Sequence, residues 1–159
     1  MGSGCGGDPK HANTPPPPKR SATPTATPLK RRPAAAGDVA VIRGWTDALR
    51  RGHIEAASRY FAIPSVVSNG TPPIRLTSRS DVRFFNRTLP CGAKLKEAID
   101  TGIFVVATFV LTERPGPGKC AGGVGNEAYT AFLIRRHKIV QWRRVLKPEP
   151  EETPSGPAS

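Results

Sequence analysis

The aromatic residues and the prolines of this chain occupy different parts of the sequence. All ten Phe, Trp and Tyr residues lie between Trp45 and Trp142, whereas twelve of the eighteen prolines lie before Asp38 or after Leu146. Segments that lack aromatic residues and are rich in Pro, Thr, Ser and Lys cannot bury enough apolar surface to offset the chain entropy lost on folding. We therefore expect a single folded domain at residues 38–146, a disordered Pro/Thr/Lys-rich tether at residues 1–37 and a disordered tail at residues 147–159.

Basic residues outnumber acidic ones. The chain has 24 Lys and Arg against 12 Asp and Glu, a net charge of +12 at pH 7, which attracts polyanions such as nucleic acid, anionic lipid or an acidic cell-surface polymer. Arg79, Arg83 and Arg87 recur every four residues and predict either a solvated helix face or a polyanion-binding surface. No nucleic-acid-binding signature accompanies them, so we expect no specific nucleic-acid partner.

The start of the sequence resembles the processing site of a bacterial lipoprotein of the actinobacterial type. Ser3, Gly4 and Cys5 are followed by two glycines and a long Pro/Thr segment. The resemblance implies that Cys5 is lipidated and tethers an extracytoplasmic domain to a membrane. Gly2 stands where the motif has Leu, and no hydrophobic region precedes Cys5. The alternative is an accidental cysteine in a flexible end, with a cytoplasmic chain if the written start is the true start.

Two further cysteines lie beside turn-forming residues. Pro90 and Gly92 flank Cys91, and glycines lie on both sides of Cys120. A disulfide between these two loops would stabilise the domain by about 3 kcal/mol in an oxidising compartment, and two unrelated reduced thiols are the alternative. The three histidines are isolated from these cysteines, so we expect no metal site, and no motif calls for a cofactor.

Three amphipathic helices are predicted in the first half of the domain. The first is capped by Asp38 and ends before Gly52; the second has the apolar face Ile54, Ala57 and Phe61 and ends at Pro64; the third begins with a capping box of Ser78 and Asp81 and ends at Pro90. A short strand at Val66 and Val67 precedes an Asn69-Gly70 turn, while two following prolines argue against a regular central strand there.

After Cys91 the apolar period changes from helical to two, which predicts strands. Their ranges are Ala93–Asp100, Ile103–Arg114, Asn126–Arg135 and Lys138–Leu146, with Arg136 and His137 in the last turn. Residues 103–111 are apolar on both faces, so we expect the strand to be covered on both sides. Helices cover one face, and a second subunit in a homodimer is a natural cover for the other.

Two stretches of the domain, Trp45–Phe61 and Lys138–Val145, carry a family resemblance. The first is similar to the opening helix pair, and the second to the closing strand, of the nuclear transport factor 2 superfamily, specifically of its SnoaL-like bacterial branch. The resemblance implies an α+β fold in which a cone-like, curved antiparallel sheet wraps around three N-terminal helices. It also implies an apolar cavity at the wide end, where catalytic relatives place acid/base residues. Here His53 and the run Ile63-Pro64-Ser65 stand where such relatives often have Asp, which disfavours an enzyme.

Two acidic residues are weak catalytic candidates. Glu97 shares the alternation of Leu95 and Ile99, so on a regular strand it points inward, where burial would raise its pKa and suit a general base. A one-residue bulge would turn it to solvent and leave Asp100, on the opposite parity, as the candidate.

Aromatic and amide side chains are candidates for ligand binding. Trp45, Trp142 and Tyr129 have positions suited to lining a cavity, and Asn69 and Asn86 to orienting a ligand, although packing, turn and helix-surface roles also explain them. The preferred hypothesis is an exported, tethered pocket domain that binds a small apolar or amphipathic ligand or a protein partner. The alternatives are a small lyase, isomerase or hydrolase using Glu97 or Asp100, and a polyanion-binding surface protein.

Overall fold

The computed structural model describes residues 15–19 and 31–149. Its helices are α1 (Ala36–Arg50), α2 (Ile54–Ser58) and α3 (Arg79–Thr88), and a 3₁₀ turn covers Ala121–Gly123. Its strands are β1 (Arg32–Pro33), β2 (Phe61–Ser68), β3 (Ile74–Leu76), β4 (Gly92–Asp100), β5 (Val105–Thr112), β6 (Glu127–Arg135) and β7 (Lys138–Val145). The predicted α+β class is confirmed.

The described strands form one seven-stranded sheet in the order β1-β4-β5-β6-β7-β2-β3. The meander from β4 to β7 is antiparallel, as predicted. β2 instead runs parallel to β7, so the predicted antiparallel sheet contains one parallel pair and is mixed. β2 can lie parallel to β7 because α3 and four strands separate them along the chain, which is enough for a crossover connection.

The folded domain begins earlier than the sequence predicted. Arg32 and Pro33 pair with Asp100 and Ile99 of β4, and the Ala34 N–H donates to the Ala98 carbonyl at 3.0 Å. The prediction of a disordered tether up to residue 37 is therefore wrong for residues 32–37. Pro33 is tolerated because an edge strand leaves one side of its backbone unpaired. Residues 15–19 are exposed without regular structure, and disorder at 1–14, 20–30 and 150–159 lies outside the described residues.

The first two helices also have bounds that differ from those predicted. α1 starts two residues before Asp38, so this carboxylate is not the cap but lies in the first turn, where it complements the helix dipole. α2 ends at Ser58 rather than Pro64, and Phe61 already belongs to β2. Pro64 is accommodated because the pairing of β2 with β7 is irregular between Phe61 and Val66.

The start of α3 and the last hairpin confirm two local predictions. The Asp81 N–H donates to Ser78 Oγ at 3.1 Å, and the Ser78 N–H donates back to Asp81 Oδ2 at 2.9 Å, which is the predicted capping box. Arg136 and His137 have φ angles of 49° and 59° and form the turn between β6 and β7. The strand pairing holds these two residues in the left-handed region although neither is glycine.

The core lies between the helices and the inner face of the sheet. Trp45 of α1 is at its centre, with ring centroids 5.7 Å from Phe132, 6.1 Å from Phe61 and 6.3 Å from Trp142. All three contacts are edge-to-face, the arrangement that aromatic quadrupoles favour. One tryptophan therefore joins the first helix to three strands.

None of the helices within the described residues covers the outer face of the sheet. Val106, Thr108 and Val110 of β5 are half-buried there, and Lys96 forms an ion pair with Glu127 across β4 and β6. The homodimer that would cover this face stays a prediction.

None of the helices in the described ranges is both long and apolar enough to cross a bilayer.

Candidate ligand cavity

A cavity of about 300 Å³ opens between α1, the α3–β4 connection and the inner face of the sheet. Its lining consists of Trp45, Leu49, Asn69, Leu89, Pro90, Cys91, Ala93, Phe109, Leu111, Gly123, Ala128, Thr130, Trp142 and Arg144. This volume is at the lower end of the range of small-molecule sites. The cavity therefore matches the apolar pocket that the sequence predicted, although its polar residues were largely missed.

Apolar side chains make up most of the wall. Trp45 and Leu49 come from α1, Phe109 and Leu111 from β5, and Leu89 from the end of α3. Phe109 and Leu111 face the same side because alternate residues of a strand share a face. The arrangement excludes water from an apolar ligand but leaves few groups able to orient it.

Three polar side chains lie among these apolar residues. Thr130 of β6 is only 4% exposed, and its register partner on β7 is Arg144, which is exposed at the mouth. Asn69 is exposed in the turn after β2. The polarity of the cavity is therefore concentrated on the β6–β7 side and at the mouth.

The two tryptophans of the cavity differ in how their indole N–H groups are used. Trp45 Nε1 donates to Asn86 Oδ1 at 2.7 Å, and Asn86 Nδ2 donates to the Val82 carbonyl at 2.9 Å. Trp142 Nε1 is buried and has no hydrogen-bond partner in the part of the chain that the structure describes. A buried donor without a partner costs about 1–3 kcal/mol. Trp142 Nε1 is therefore a polar group whose hydrogen bond is left unmade beside the cavity.

A disulfide closes one side of the cavity. Cys91 and Cys120 are bonded, with their sulfurs 2.03 Å apart and a sequence separation of 29, which confirms the predicted bridge. Gly123 packs against it, since a Cβ atom there would lie 3.1 Å from Cys120 Sγ and 3.5 Å from Cys91 Sγ. The bridge thus fixes the β5–β6 connection beside the mouth.

Arg114 supports the same wall and was missed by sequence reasoning. This side chain is 8% exposed; its Nε donates to the Leu89 carbonyl at 2.7 Å, and one Nη donates to the Arg87 carbonyl at 3.0 Å. A cation at these carbonyls complements the C-terminal end of α3. Burial lowers the pKa of the Arg114 guanidinium below its ordinary value. No periodic signal singles it out, because its partners are backbone carbonyls 25 or more residues away.

Three of the five predicted ligand-binding residues line the cavity, namely Trp45, Asn69 and Trp142. Asn86 does not: it is fully buried and occupied by its bond to Trp45. Tyr129 does not line the cavity either. Adjacent residues on β6 face opposite sides of the sheet, and Thr130 has the inward position. The Tyr129 hydroxyl donates to Glu127, and this hydrogen bond is the main cause of its raised pKa.

Neither acidic candidate lies in the cavity lining. The β4–β5 register shifts between Leu95 and Glu97, so one extra residue bulges and Glu97 is exposed. The structure therefore shows the bulged alternative, in which Glu97 faces solvent, and not the inward position expected on a regular strand. Asp100 lies at the far end of β4, where Oδ2 accepts from Arg32 at 2.9 Å and Oδ1 accepts from the Gly102 N–H at 2.7 Å. Asp100 therefore binds the edge strand β1 through Arg32 and does not line the cavity.

The cavity lining contains no carboxylate and no imidazole. Its cysteine is in the disulfide, and its only ionisable side chain is Arg144. General acid/base catalysis needs a group that exchanges a proton near neutral pH. Within residues 15–19 and 31–149 no three His, Cys, Asp or Glu side chains cluster to hold a metal ion.

The predicted basic stripe is partly engaged in internal contacts. Arg79 donates to the Ser58 and Phe61 carbonyls, and Arg83 pairs with Glu55 at 3.1 Å. These bonds fasten α3 to α2 and to the start of β2. They leave Arg87 as the exposed member of the stripe.

A second depression, of about 750 Å³, lies on the surface between α1, α2 and the last hairpin. Its lining includes Gly37, Ala40, Arg59, Tyr60 and His137. It is shallow and contains none of the residues predicted to bind a ligand.

No family model and no curated protein matches this chain. Solved structures do match. A candidate polyketide cyclase from Sinorhizobium meliloti is 16% identical, with 66% of this chain and 93% of that chain covered at a TM-score of 0.52. A candidate ketosteroid isomerase from Kribbella flavida is also 16% identical, with coverage of 74% and 86% and a TM-score of 0.51.

Two further structures extend the comparison. A nuclear transport factor 2-like protein of unknown function from Cytophaga hutchinsonii is 9% identical, with coverage of 70% and 90% and a TM-score of 0.53. A de novo designed protein with a curved β-sheet is 17% identical, with coverage of 72% and 88% and a TM-score of 0.54. Likeness at these identities concerns architecture and not activity. The domain described here has the nuclear transport factor 2-like fold, as the resemblance read from the sequence implied.

Proposed function

We propose that this domain binds a small apolar or amphipathic ligand in the cavity between α1 and the sheet. The observation that carries the proposal is the composition of the lining. Most of it is apolar, while Thr130 and Trp142 provide two buried polar groups and Arg144 is at the mouth. Small-molecule sites have this composition, a mainly apolar wall with a few polar groups that fix orientation.

Binding is favoured over catalysis because the cavity has no proton-transfer group. An arginine side chain is not a general acid or base near neutral pH, and both acidic candidates, Glu97 and Asp100, lie outside the lining. The likeness to a candidate cyclase and a candidate isomerase supports the presence of a pocket and does not bring their chemistry to this chain.

The intrinsic fluorescence of the protein provides a direct test. Both tryptophans of the chain line the cavity, so a ligand that enters should change their emission. We expect saturable changes on titration with decanol or decanoate, and co-purified small molecules in native mass spectrometry. A chain that shows neither response contradicts the proposal.

Cavity filling gives a matched pair of variants. Ala128→Leu places extra apolar volume in the cavity mouth, whereas Thr108→Leu does so on the neighbouring strand but on the outer face of the sheet. We expect the first variant to weaken binding at least tenfold and the second to leave it unchanged. Equal effects of both variants would place the ligand elsewhere.

We also propose that the protein works outside the cytoplasm. The Cys91–Cys120 bridge supports this location, because structural disulfides persist in oxidising compartments. Cys5, the predicted lipidation site, lies outside the described residues. Membrane fractions of a producing bacterium should contain the full chain, and Cys5→Ala should release it. Retention of the variant at the membrane would contradict a lipid tether at Cys5.

The outer face of the sheet supports the further proposal of a homodimer. The half-buried apolar side chains of β5 are without a covering layer among the described residues, and a second copy would provide one. Analytical ultracentrifugation should find twice the chain mass, with Val110→Lys shifting it to the monomer. A wild-type monomer at high concentration would contradict this arrangement.

A further inference from the structure

The cavity lining has one charge, at the mouth, and an unpaired donor in its wall. Arg144 is the only ionisable residue of the lining, and no lining carboxylate neutralises it. Trp142 Nε1 is buried without a partner in the described part of the chain. Trp142 and Arg144 are two residues apart on β7, so they face the same side and are separated by roughly 6.6 Å along the strand.

We propose that the ligand is an amphipathic monocarboxylate, with its carboxylate on Arg144 and its apolar body between Trp45, Phe109 and Leu111. This inference rests on the proposed function and names the class of ligand. A guanidinium offers a planar pair of N–H donors that matches the two oxygens of one carboxylate. The Asn69 amide at the mouth is a further donor on the same side of the opening, because Asn69 directly follows Ser68, the register partner of Arg143.

The polar groups of the lining favour an acceptor over a donor. Arg144 can only donate hydrogen bonds, while the Thr130 hydroxyl can donate or accept. Thr130 is the register partner of Arg144, so the two side chains lie side by side across β6 and β7. An anionic or acceptor-rich head group satisfies this set, whereas an ammonium head group would meet only like charge.

A single cation also argues for a monoanion. A phosphate monoester carries about −1.5 to −2 charges at neutral pH and would retain net negative charge beside one guanidinium. A carboxylate carries one negative charge, which a single guanidinium neutralises. The class of ligand therefore follows from the number of positive charges as well as from their sign.

The test compares four probes that share one decyl chain. Decanoate, decanol, decyl phosphate and decyltrimethylammonium are titrated into the full chain below their aggregation concentrations, with tryptophan emission as the readout. We expect decanoate to bind roughly tenfold more tightly than decanol, which corresponds to the free energy of one charge-assisted hydrogen-bonded contact, and decyltrimethylammonium to bind most weakly.

Variants of two adjacent arginines locate the contact. Arg144→Gln should remove the preference for decanoate while leaving decanol binding unchanged, and Arg144→Lys should restore part of it. Arg143→Gln is the matched control, because Arg143 precedes Arg144 on β7, faces the other side of the sheet and stacks on Phe104 at 5.3 Å. It should keep the full preference.

The outcomes separate the two proposals. If none of the four probes changes the emission, both the binding function and this inference fail. If decanol and decanoate bind equally, or Arg144→Gln keeps the preference, the cavity binds apolar ligands but the carboxylate assignment is wrong. Tighter binding of decyl phosphate or decyltrimethylammonium than of decanoate also overturns it. Should Arg144→Gln fail to fold, the ranking of the four probes on the wild-type chain decides.

Discussion

The aromatic core of this domain has a packed end and an open end that share Trp45. At the packed end Phe61 and Phe132 are fully buried, and the Trp45 indole is hydrogen-bonded to Asn86. At the open end the wall is also apolar, but Leu111 is only half-buried and Trp142 has an unpaired N–H. The contrast shows that the aromatic core both stabilises the fold and leaves room for a ligand. The close packing at the packed end stabilises the domain, so the open end can be packed less tightly.

Truncating one residue at each end should give the largest difference. We expect Phe132→Ala to destabilise the domain by about 3–5 kcal/mol, since it removes a fully buried ring and leaves a void. Leu111→Ala should cost roughly 1–2 kcal/mol, because this side chain already borders empty space and loses fewer contacts. Urea unfolding measures both values. Equal costs would mean that the two ends are equally well packed.

Removing the disulfide should weaken the open end next. In a Cys5→Ala background, Cys91→Ala with Cys120→Ala should lower the free energy of unfolding by about 2–4 kcal/mol, because the bridge closes a loop of 29 residues. Ligand affinity should fall as well, since Cys91 and the packed Gly123 both line the cavity. The Cys5→Ala chain with an intact bridge is the control. Unchanged affinity would mean that the β5–β6 connection is held by other contacts.

The two indole N–H groups give a sharper comparison. Asn86→Leu should cost about 1–3 kcal/mol, because it leaves the buried Trp45 N–H without its acceptor. Trp142→Phe removes a donor that has no partner to lose, so its cost should be clearly smaller. Thermal unfolding of the two variants beside the wild type measures the difference. A larger loss in Trp142→Phe would indicate a partner for this indole in solution.

The smallest effect should be a pH dependence at the start of α3, the helix that carries Asn86. Hydrogen bonds from the Thr77 backbone and the Ser78 side chain are the main causes that lower the pKa of Asp81 below its ordinary 3.8. A lowered folded-state pKa means that the contribution is complete above pH 3.8 and is lost as the pH falls through the folded-state value. Asp81→Asn should therefore reduce the fall in stability between pH 5 and pH 2. An unchanged pH profile would contradict this assignment.

Local patterns predicted much of the fold correctly. The capping box of Ser78 and Asp81, the hairpin at Arg136 and His137 and the meander after Cys91 all depend on residues that are close in sequence. The end of α2 was predicted wrongly. The apolar spacing of Ile54, Ala57 and Phe61 fits one continuous helix, but it fits equally well a helix that ends at Ser58 and is followed by a strand from Phe61.

The candidate site was harder to predict because strand bulges change which residues face inward. The shift after Leu95 turned Glu97 to solvent. On β7 the register shifts between Leu133 and Ile134 of its partner, so both Ile139 and Trp142 are buried although simple alternation puts them on opposite faces. The same shift places Arg144 beside Thr130, and neither residue was among the candidates for lining a ligand cavity.

The sequence by itself determined the fold class, the three helices, the strand meander and the pairing of the two cysteines as one of two alternatives. Only the tertiary structure decided which side chains share the cavity, that Trp142 has no hydrogen-bond partner there, and that Arg114 closes the end of α3. The physical reason is that helix caps, turns and apolar periods are set by neighbours within a few residues. The face of a strand depends instead on its register with distant strands, and one extra residue reverses it.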